Sequence, residues 1–337
     1  MTDEAIQNLS DVVYLENNKH RSAVELASEL GVTYYSVIYA YEKYSIERTF
    51  DGYNKSLAEK EIADFVRGMG VDLQCGNRTL LGGKELDMYA PDRGIAIEFN
   101  GVYWHSEKNG KGKNYHLDKQ KKCSDIGIRL VHILDTEWKS KEDIVRSRLS
   151  NLFGMSKRVY ARKCRVGVVD NSTASVFFDR THIQGRCAQS VAYGLWYEGT
   201  LVACMSFGKS RFSKKYEWEL LRFSNELNTS VVGAAGKLFS YFKKLVNPKS
   251  VVSYCDLRWN TGNMYSAIGF TEVGRSSPNY WYTNNYTFLE SRMRYQKHKL
   301  SNILPLFDES KSEWQNMSDN GFDRIWDCGN SVYVWNV

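Results

Sequence analysis

Two acidic residues in otherwise apolar segments are the first candidates for chemistry. Asp87 lies in the strand-like stretch 85–89 and Glu98 in the stretch 94–99, and a turn containing proline and glycine joins the two. A hairpin would bring both carboxylates together. Carboxylate oxygens suit Mg²⁺ or Mn²⁺, and such an ion can activate water against a phosphodiester. The pair therefore predicts a metal site for hydrolysis.

Residues that could move a proton or supply positive charge follow Glu98 along the chain. His105 comes soon after it, and a predicted lysine-rich helix at about 115–126 carries His116 and Lys119, three positions apart and so on one face. Histidine can accept the proton of an attacking water, and lysine can stabilise charge that develops on a phosphate. These residues place the predicted active site within residues 84–119.

The same residues resemble a known family, the PD-(D/E)XK nuclease superfamily. Its pattern is an acid, a hairpin and then acid-x-lysine, and Leu86-Asp87 and Glu98-Phe99-Asn100 occupy those places. The run Ile-Ala-Ile-Glu-Phe-Asn-Gly-Val-Tyr-Trp-His at 95–105 is similar to the very-short-patch repair endonucleases, a branch that some phage homing endonucleases share. The resemblance covers roughly residues 57–138.

The resemblance implies roles for individual residues. It makes Asp87 a metal ligand and His105 the general base or acid, and Glu61, on the preceding helix, would bind the metal directly or through water. Glu98 is kept as a metal ligand, although the repair branch uses a backbone carbonyl near this point. The predicted catalytic residues are Glu61, Asp87, Glu98, His105, His116 and Lys119.

Asn100 departs from the superfamily's pattern, because an amide cannot supply the positive charge of the usual lysine. Lys119, together with His116, is expected to supply it from the following helix. The leading prediction is therefore a Mg²⁺-dependent endodeoxyribonuclease, phage-encoded and of the homing type. Its central domain, restriction-endonuclease-like and α/β/α, would cut double-stranded DNA.

Small residues in the second half could hold a phosphate. Gly233, Ala235 and Gly236 begin a helix between two predicted strands, and N–H groups at a helix start are free to bind a pyrophosphate. The pattern resembles the coenzyme A loop of the GNAT acyltransferase fold, Q/R-x-x-G-x-G/A, with Ser230 in place of the leading residue.

A later segment extends this resemblance. Residues 260–270, which end in Gly-Phe, are similar to the late helix of the GNAT fold, and residues 251–270 resemble the Mom-type DNA-modification proteins of phages. The resemblance implies a GNAT-like α+β domain that either grips DNA or uses a coenzyme A-type ligand to modify a base. Arginines and aromatic residues interleave here as phosphate and stacking contacts would. The predicted DNA contacts outside the N-terminal segment are Lys111, Lys113, Arg258, Arg292 and Arg294.

The N-terminal segment predicts two short helices around Gly31, within residues 21–46. Thr33 can cap the second helix, and the segment resembles helix-turn-helix DNA-binding proteins. In that arrangement Thr33, Tyr34, Tyr35 and Ser36 would start the recognition helix. An ordinary helical hairpin is the alternative. Downstream, Ser56 followed by Glu59 predicts the start of the next helix.

Length and composition predict a folded protein of several domains. The chain has 337 residues, 42% of them hydrophobic and 25% charged, and carries a net charge of +6. This exceeds one usual core, so we expect a multidomain α/β protein with a helix-turn-helix segment (1–50), a nuclease domain (51–155) and a GNAT-like domain (156–337). Seven scattered cysteines, no apolar membrane span and no signal peptide predict a cytoplasmic protein, in the bacterial host if phage-encoded.

Two other functions compete with the endonuclease. The first is a Mom-like, acyltransferase-fold enzyme that modifies DNA bases with a coenzyme A-type ligand. The second is a non-catalytic DNA-binding protein. Double-stranded DNA is the expected partner in each case, and the oligomeric state is left open.

Overall fold

The computed structural model describes residues 2–19, 21, 23–46 and 57–337, and of Val24, Glu25 and Tyr35 the backbone alone. The chain divides into two compact units, Met1–Phe65 and Val66–Val337. Ser56, the predicted start of a helix, lies outside the described residues. The three-domain boundaries at 50 and 155 remain predictions.

The first unit is helical. Helices α1 (Asp3–Ser10), α2 (Val12–Asn18), α3 (Ala23–Leu30) and α4 (Tyr34–Lys43) surround a small apolar core that includes Leu15, Leu26, Val37 and Tyr41. Gly31 has a φ of +63°, which allows the chain to turn between α3 and α4. Thr33 caps α4 as predicted, because its Oγ1 accepts the Ser36 N–H at 3.2 Å. The helix α5 (Leu57–Gly68) crosses the boundary between the units.

The second unit begins with a four-stranded sheet. Its strands are β1 (Gln74–Leu81), β2 (Lys84–Ala90), β3 (Ile95–Asn100) and β4 (Arg129–Leu134), in that order across the sheet. The first three run antiparallel, and β3 and β4 are parallel because α6 (Tyr115–Asp125) returns the chain between them. Every residue of β3 is buried, and α7 (Asp135–Leu152) follows β4. The predicted strands and the lysine-rich helix are confirmed.

A seven-stranded sheet forms the largest layer. After β5 (Lys157–Tyr160) come β6 (Arg165–Val169), α8 (Asn171–Thr181), β7 (Val191–Tyr197), β8 (Thr200–Lys209) and β9 (Trp218–Asn225). There follow β10 (Thr229–Val232), α9 (Ala234–Val246), β11 (Ser250–Asp256), α10 (Asn263–Ala267) and β12 (Thr271–Arg275). The last strand of the chain, β16 (Asn330–Asn336), lies between β12 and β11, which gives the order β12-β16-β11-β9-β8-β7-β6, and β5 and β10 pair separately.

The insertion between β12 and β16 forms a third, smaller sheet. It consists of β13 (Tyr280–Thr283), β14 (Glu290–Ser291) and β15 (Asp323–Trp326), with α11 (Lys297–Leu300) and α12 (Glu313–Asp319) between the last two strands. Tyr282 and Met317, both fully buried, lie in its core. An isolated bridge between Ser106 and Ile325 joins this insertion to the loop after β3.

Helix α9 covers one face of the seven-stranded sheet. Phe239 and Phe242 of this helix are buried, and the Phe242 ring stacks on Phe207 of β8 with 3.7 Å between centroids. Burial of such a side chain contributes about 2–3 kcal/mol, so this face holds α9 in place. The observed architecture is thus a mixed α/β fold with several layers, as predicted at that level. Among the described residues, none of the helices has both the length and the apolar character that a membrane crossing requires.

Candidate functional site

Strands β9 and β11 start side by side and then separate. Their parallel pairing is limited to Val251 with Trp218 and Val252 with Glu219, although both strands continue beyond those residues. Beyond these pairs β9 remains bonded to β8, and β11 to β16. A wedge therefore opens toward the carboxyl ends of two neighbouring parallel strands, the end at which α/β sheets commonly bind ligands.

The wedge is part of a cleft of about 1190 Å³. One side of the cleft is lined by β9 with the residue that follows it (219–226), by the end of β11 (254–256) and by α10. Arg148 of α7 and Arg129 of β4 line the other, so the four-stranded sheet and its helix contribute to the wall. The volume lies somewhat above the roughly 300–1,000 Å³ that is usual for sites of cofactors and other small ligands.

Tyr265 of α10 places a phenol in this cleft. Its hydroxyl lies 3.0 Å from Ser253 Oγ, which in turn donates to the Leu220 carbonyl at 2.9 Å. The ring stacks on Tyr333 with 4.8 Å between centroids. Burial is the main cause that raises the pKa of Tyr265. The phenol therefore stays protonated at neutral pH and can act as a hydrogen-bond donor.

The predicted phosphate-binding residues lie at the start of α9. Gly233 has a φ of +82° and directs the chain into the helix, and a side chain added at Gly236 would meet nothing within 4 Å. The first N–H groups of a helix have no partner within it, and the first helical bond here runs from the Lys237 N–H to the Gly233 carbonyl. Because α9 runs back along the parallel strands, its N-terminus lies at the end where the wedge opens.

A basic turn packs against the first turn of α9. Lys237 Nζ donates to the carbonyls of Ala161 and Cys164, at 2.9 and 2.6 Å, and so fixes the segment between β5 and β6. Within that segment, Arg162 and Lys163 are exposed. Basic side chains and free N–H groups thus lie in the same region.

A second group of polar residues lies in the four-stranded sheet, where Asp87, Glu98 and Lys119 come together. Lys119 forms an ion pair with Glu98, and the two side chains are only 5% and 4% exposed. Asp87 Oδ2 accepts the Phe99 N–H at 2.8 Å. Burial raises the pKa of Asp87 despite the nearby Lys119 charge. Burial alone would lower the pKa of Lys119, but Glu98 and Asp87 more than offset it, so that pKa is raised.

Three histidines extend this group. His105 Nδ1 lies 3.0 Å from His116 Nε2, and the His132 ring lies edge-on to His116 with 5.4 Å between centroids. Burial is the main cause that lowers the pKa of all three, that of His116 to about 3. All three rings are therefore neutral near pH 7. Asn100 lies 3.2 Å from His132 Nδ1 through its Nδ2.

The remaining predicted residues are distributed over both units. In the first unit, Glu61 is exposed on α5. At the start of α4, Thr33 is exposed, and Tyr34 and Ser36 are partly buried. The Tyr35 side chain lies outside what the structure describes. In the second unit Lys111 is partly buried, with Nζ 4.4 Å from the Tyr115 ring centroid, whereas Lys113 and Arg292 are exposed and line the cleft. Arg294 is exposed and pairs with Glu290.

Arg258 is the clearest correction to the predicted DNA contacts. Its side chain is 4% exposed and forms ion pairs with Glu137 at 2.9 Å and Asp256 at 3.1 Å. The neighbouring Trp259 and Tyr280 are also buried, at 3% and 7% exposed. Arg258, Trp259 and Tyr280 therefore do not form an exposed surface for DNA, although Trp259 and Tyr280 line the cleft.

Several cleft residues were not anticipated from the sequence. Tyr265 could have been found, because it lies shortly before the Gly-Phe pair that suggested the GNAT resemblance. Arg148, His182 and Arg222 gave no signal, because they lie on an ordinary helix, directly after a helix and on an ordinary strand, and only packing brings them into one cleft.

Comparisons with known proteins gave matches among solved structures alone. No protein-family model and no curated protein matches the sequence. Among solved structures, the chain is similar to a Bacillus subtilis acetyltransferase in complex with CoA, at 13% identity and a TM-score of 0.29, over 52% of this chain and 99% of that one. It is also similar to a GNAT family acetyltransferase from Elizabethkingia anophelis with acetyl-CoA bound, at 12% identity and a TM-score of 0.29, over 52% of this chain and 99% of that one. A putative acetyltransferase from Salmonella typhimurium with acetyl-CoA is similar at 10% identity and a TM-score of 0.30, over 52% of this chain and 94% of that one.

These findings contradict the predicted hydrolase. The similar solved structures are acetyltransferases, which are transferases and not nucleases. Within the described ranges, no group of three or more His, Cys, Asp or Glu side chains is placed to hold a metal ion. The Lys119 ammonium occupies the position beside Glu98 that a cation would need. The endonuclease, the Mg²⁺ or Mn²⁺ ion and the metal-ligand roles of Asp87, Glu98 and Glu61 therefore find no support.

Proposed function

We propose that this protein transfers an acyl group from a coenzyme A-type thioester to a base of DNA, with the GNAT-like domain as the catalytic part. The observation that carries the proposal is the wedge between β9 and β11, which opens at the N-terminal end of α9 and has the Tyr265 phenol in its wall. A narrow opening through a sheet suits an extended thiol arm, because the pairing between the two strands is interrupted there.

The residues at the start of α9 fit the phosphates of such a ligand. The N–H groups of Ala234, Ala235 and Gly236 have no partner within the helix, and the positive end of the helix dipole adds to their attraction for an anion. Gly236 leaves room for close approach, since nothing lies within 4 Å of a side chain added there. Arg162 and Lys163 supply nearby positive charge.

A thioester, when bound, supplies an activated acyl group with a thiolate as leaving group. Tyr265 Oη donates the proton that the leaving thiolate takes up when the C–S bond breaks, and the proton that the acylated amino group of the base loses restores the phenol. The raised pKa of Tyr265 keeps it protonated until that bond breaks. Ser253 orients the phenol through the 3.0 Å contact.

The DNA partner is proposed from the basic character of the cleft and its rim. Lys113 and Arg292 lie at the cleft, and both were expected to contact DNA. Thr33, Tyr34 and Ser36 of the first unit remain candidate contacts as well. A non-catalytic DNA-binding protein is the second candidate, because the same basic cleft could bind phosphates without any transfer reaction.

Coenzyme binding tests the proposal directly. Coenzyme A at about 100 times its Kd should stabilise the protein by roughly 2.7 kcal/mol, measured by thermal unfolding. Gly236→Asp should abolish this effect, because a carboxylate at the helix start repels phosphate, whereas Gly236→Ala should retain it. No stabilisation of the unaltered protein by coenzyme A or acetyl coenzyme A would contradict the proposal and favour the non-catalytic alternative.

Acyl transfer gives the second measurement. Radiolabelled acetyl coenzyme A should label DNA, and Tyr265→Phe should slow that labelling by about 10²- to 10⁴-fold with little effect on coenzyme binding. Equal labelling by both proteins would remove Tyr265 from the mechanism.

A further inference from the structure

Three arginines line the cleft without a direct ion pair. They are Arg129, Arg148 and Arg222, and within the described part of the chain none of them has a carboxylate at ion-pair distance. Burial lowers the pKa of each of them, that of Arg148 to about 10. A cation that is partly withdrawn from water and has no carboxylate in direct contact is unfavourable, so this region attracts an anion.

The acidic residues of the cleft do not fill this role, because each already has a cation. Glu219 pairs with Arg211 at 2.5 Å. Glu226 receives two hydrogen bonds from Arg180, and Asp256 pairs with Arg258 at 3.1 Å. Asp256 and Glu137 also attract Arg148 through space, and Glu219 attracts Arg222, but among the described residues neither arginine has a carboxylate at ion-pair distance.

Arg148 is held in place with part of its guanidinium unused. The group lies 4.5 Å from the centroid of the Trp259 indole, and Nη2 donates to Asn260 Oδ1 at 3.3 Å. Its Nε is buried and has no hydrogen-bond partner among the residues described. The indole fixes the plane of the guanidinium, which therefore requires little reordering to bind a ligand.

Arg222 and His182 supply further donors in the same cleft. Arg222 Nε donates to the Gly185 carbonyl at 2.8 Å and Nη1 to the Leu221 carbonyl at 2.8 Å, which leaves Nη2 without a hydrogen-bond partner in the described ranges. His182 Nδ1 accepts the Gln184 N–H at 3.1 Å. Because burial and the adjacent arginines lower the pKa of His182, the ring is neutral and carries its hydrogen on Nε2.

We infer that Arg148, Arg222 and His182 form a phosphate-binding subsite that seats one phosphodiester of the nucleic-acid acceptor. The inference rests on the proposed function, since it names the substrate that this cleft takes. Two arginines and one imidazole N–H present the charged and directional donors that phosphate oxygens prefer. With about 1190 Å³ the cleft accommodates a nucleotide and excludes a duplex, so the acceptor base must leave the helix stack or come from a single strand.

The subsite depends on two layers of the molecule. Arg148 comes from α7, which follows the four-stranded sheet, whereas Arg222 comes from β9 of the seven-stranded sheet. The four-stranded sheet therefore has a role in substrate binding that does not require chemistry of its own.

The test compares two single-stranded oligonucleotides of the same sequence, one with phosphodiester and one with uncharged methylphosphonate linkages. Binding to the full chain is measured by fluorescence anisotropy without coenzyme. We expect the phosphodiester strand to bind at least about 10-fold more tightly. Arg148→Met and Arg222→Met should each weaken its binding by roughly 10-fold, the loss expected for a charge-assisted hydrogen bond. Arg146→Met is the matched control, since Arg146 lies on the same helix, pairs with Glu142 and is not a residue of the cleft.

Arg148→Lys provides a variant that retains the charge and should retain part of the affinity. Equal affinity for the two strands, or unchanged binding by Arg148→Met and Arg222→Met that unfold at the normal temperature, would overturn the subsite. The same variants are titrated with coenzyme A by calorimetry, and a loss confined to coenzyme A would assign the phosphate to the coenzyme and also overturn the inference. Phosphodiester binding that depends on Arg148 in a protein that binds no coenzyme would uphold the subsite and reject the acyltransferase.

Discussion

Arg258 donates from Nη2 to Glu137 Oε1 across 2.9 Å, and this ion pair connects the two large sheets of the second unit. Glu137 lies on α7, after the four-stranded sheet, and Arg258 lies just after β11 of the seven-stranded sheet. The backbone supports the same junction, because the His132 N–H of β4 donates to the Arg258 carbonyl at 3.0 Å. The cleft walls on either side of this junction are thereby held at a defined separation.

Removal of one partner of this ion pair should destabilise the protein. Glu137→Ala leaves the Arg258 charge buried with Asp256 as its remaining partner, and we expect a loss of about 3–5 kcal/mol in the free energy of unfolding. Urea denaturation measures the loss. Glu137→Ala combined with Arg258→Met should recover part of it, and Glu142→Ala, which removes an exposed pair on the same helix, should cost about 0.5 kcal/mol or less. A loss as small as the Glu142 control would show that the pair does not hold the sheets together.

Lys119 provides a similar test of the buried group in the four-stranded sheet. Lys119→Met leaves Asp87 and Glu98 without their cation, and we expect destabilisation of about 3–5 kcal/mol because both carboxylates are shielded from water. The double variant with Glu98→Gln should be more stable than Lys119→Met alone. Chemical denaturation of both variants decides the matter. If the double variant were no more stable, the Lys119–Glu98 pair would not be the cause.

Gly262 should tolerate no side chain. Its φ is +85°, and a Cβ there would lie 1.9 Å from the Tyr333 hydroxyl. Gly262→Ala must displace Tyr333 and disturb its stacking on Tyr265, so we expect a loss of at least about 1–3 kcal/mol in stability. Gly274→Ala is the control, because nothing lies within 4 Å of a Cβ added there. Equal melting temperatures for the two variants would argue against this packing.

Acid should destabilise the protein through its buried histidines. The pKa of His116 is lowered from its usual 6.5 to about 3 in the folded chain, so the unfolded chain binds the proton more readily. The contribution of the neutral His116 ring to the free energy of unfolding is complete above pH 6.5 and decreases as the pH falls toward 3. At pH 5 the loss amounts to about 2 kcal/mol for one such histidine.

The measurement is the free energy of unfolding between about pH 7 and pH 5. His116→Gln should reduce its slope by about one proton, whereas His298→Gln, at an exposed position, should not. An unchanged slope in His116→Gln would show that this ring is not a source of the acid sensitivity.

The local sequence pattern was sufficient to predict several of the strands and helices that carry the candidate site residues. Alternating apolar residues and the intervening turn predicted β2, β3 and β4, and the small residues near 233 predicted the start of α9, because the hydrophobic period and the turn preferences are properties of short segments. The seven-stranded order with β16 between β11 and β12 was not predictable in the same way. That order depends on pairing between strands far apart in the chain.

The fate of individual charged residues was decided only by the tertiary structure. Asp87, Glu98 and Lys119 were expected to meet and do so, but the ion pair between Lys119 and Glu98 turns a predicted metal site into a buried charge pair. Arg258, expected on the DNA surface, lies in the interior, whereas Arg148 and Arg222 meet in one cleft without any signal in the sequence. A residue's type gives its charge, but its partners and its exposure to water come from segments that only the folded chain brings together.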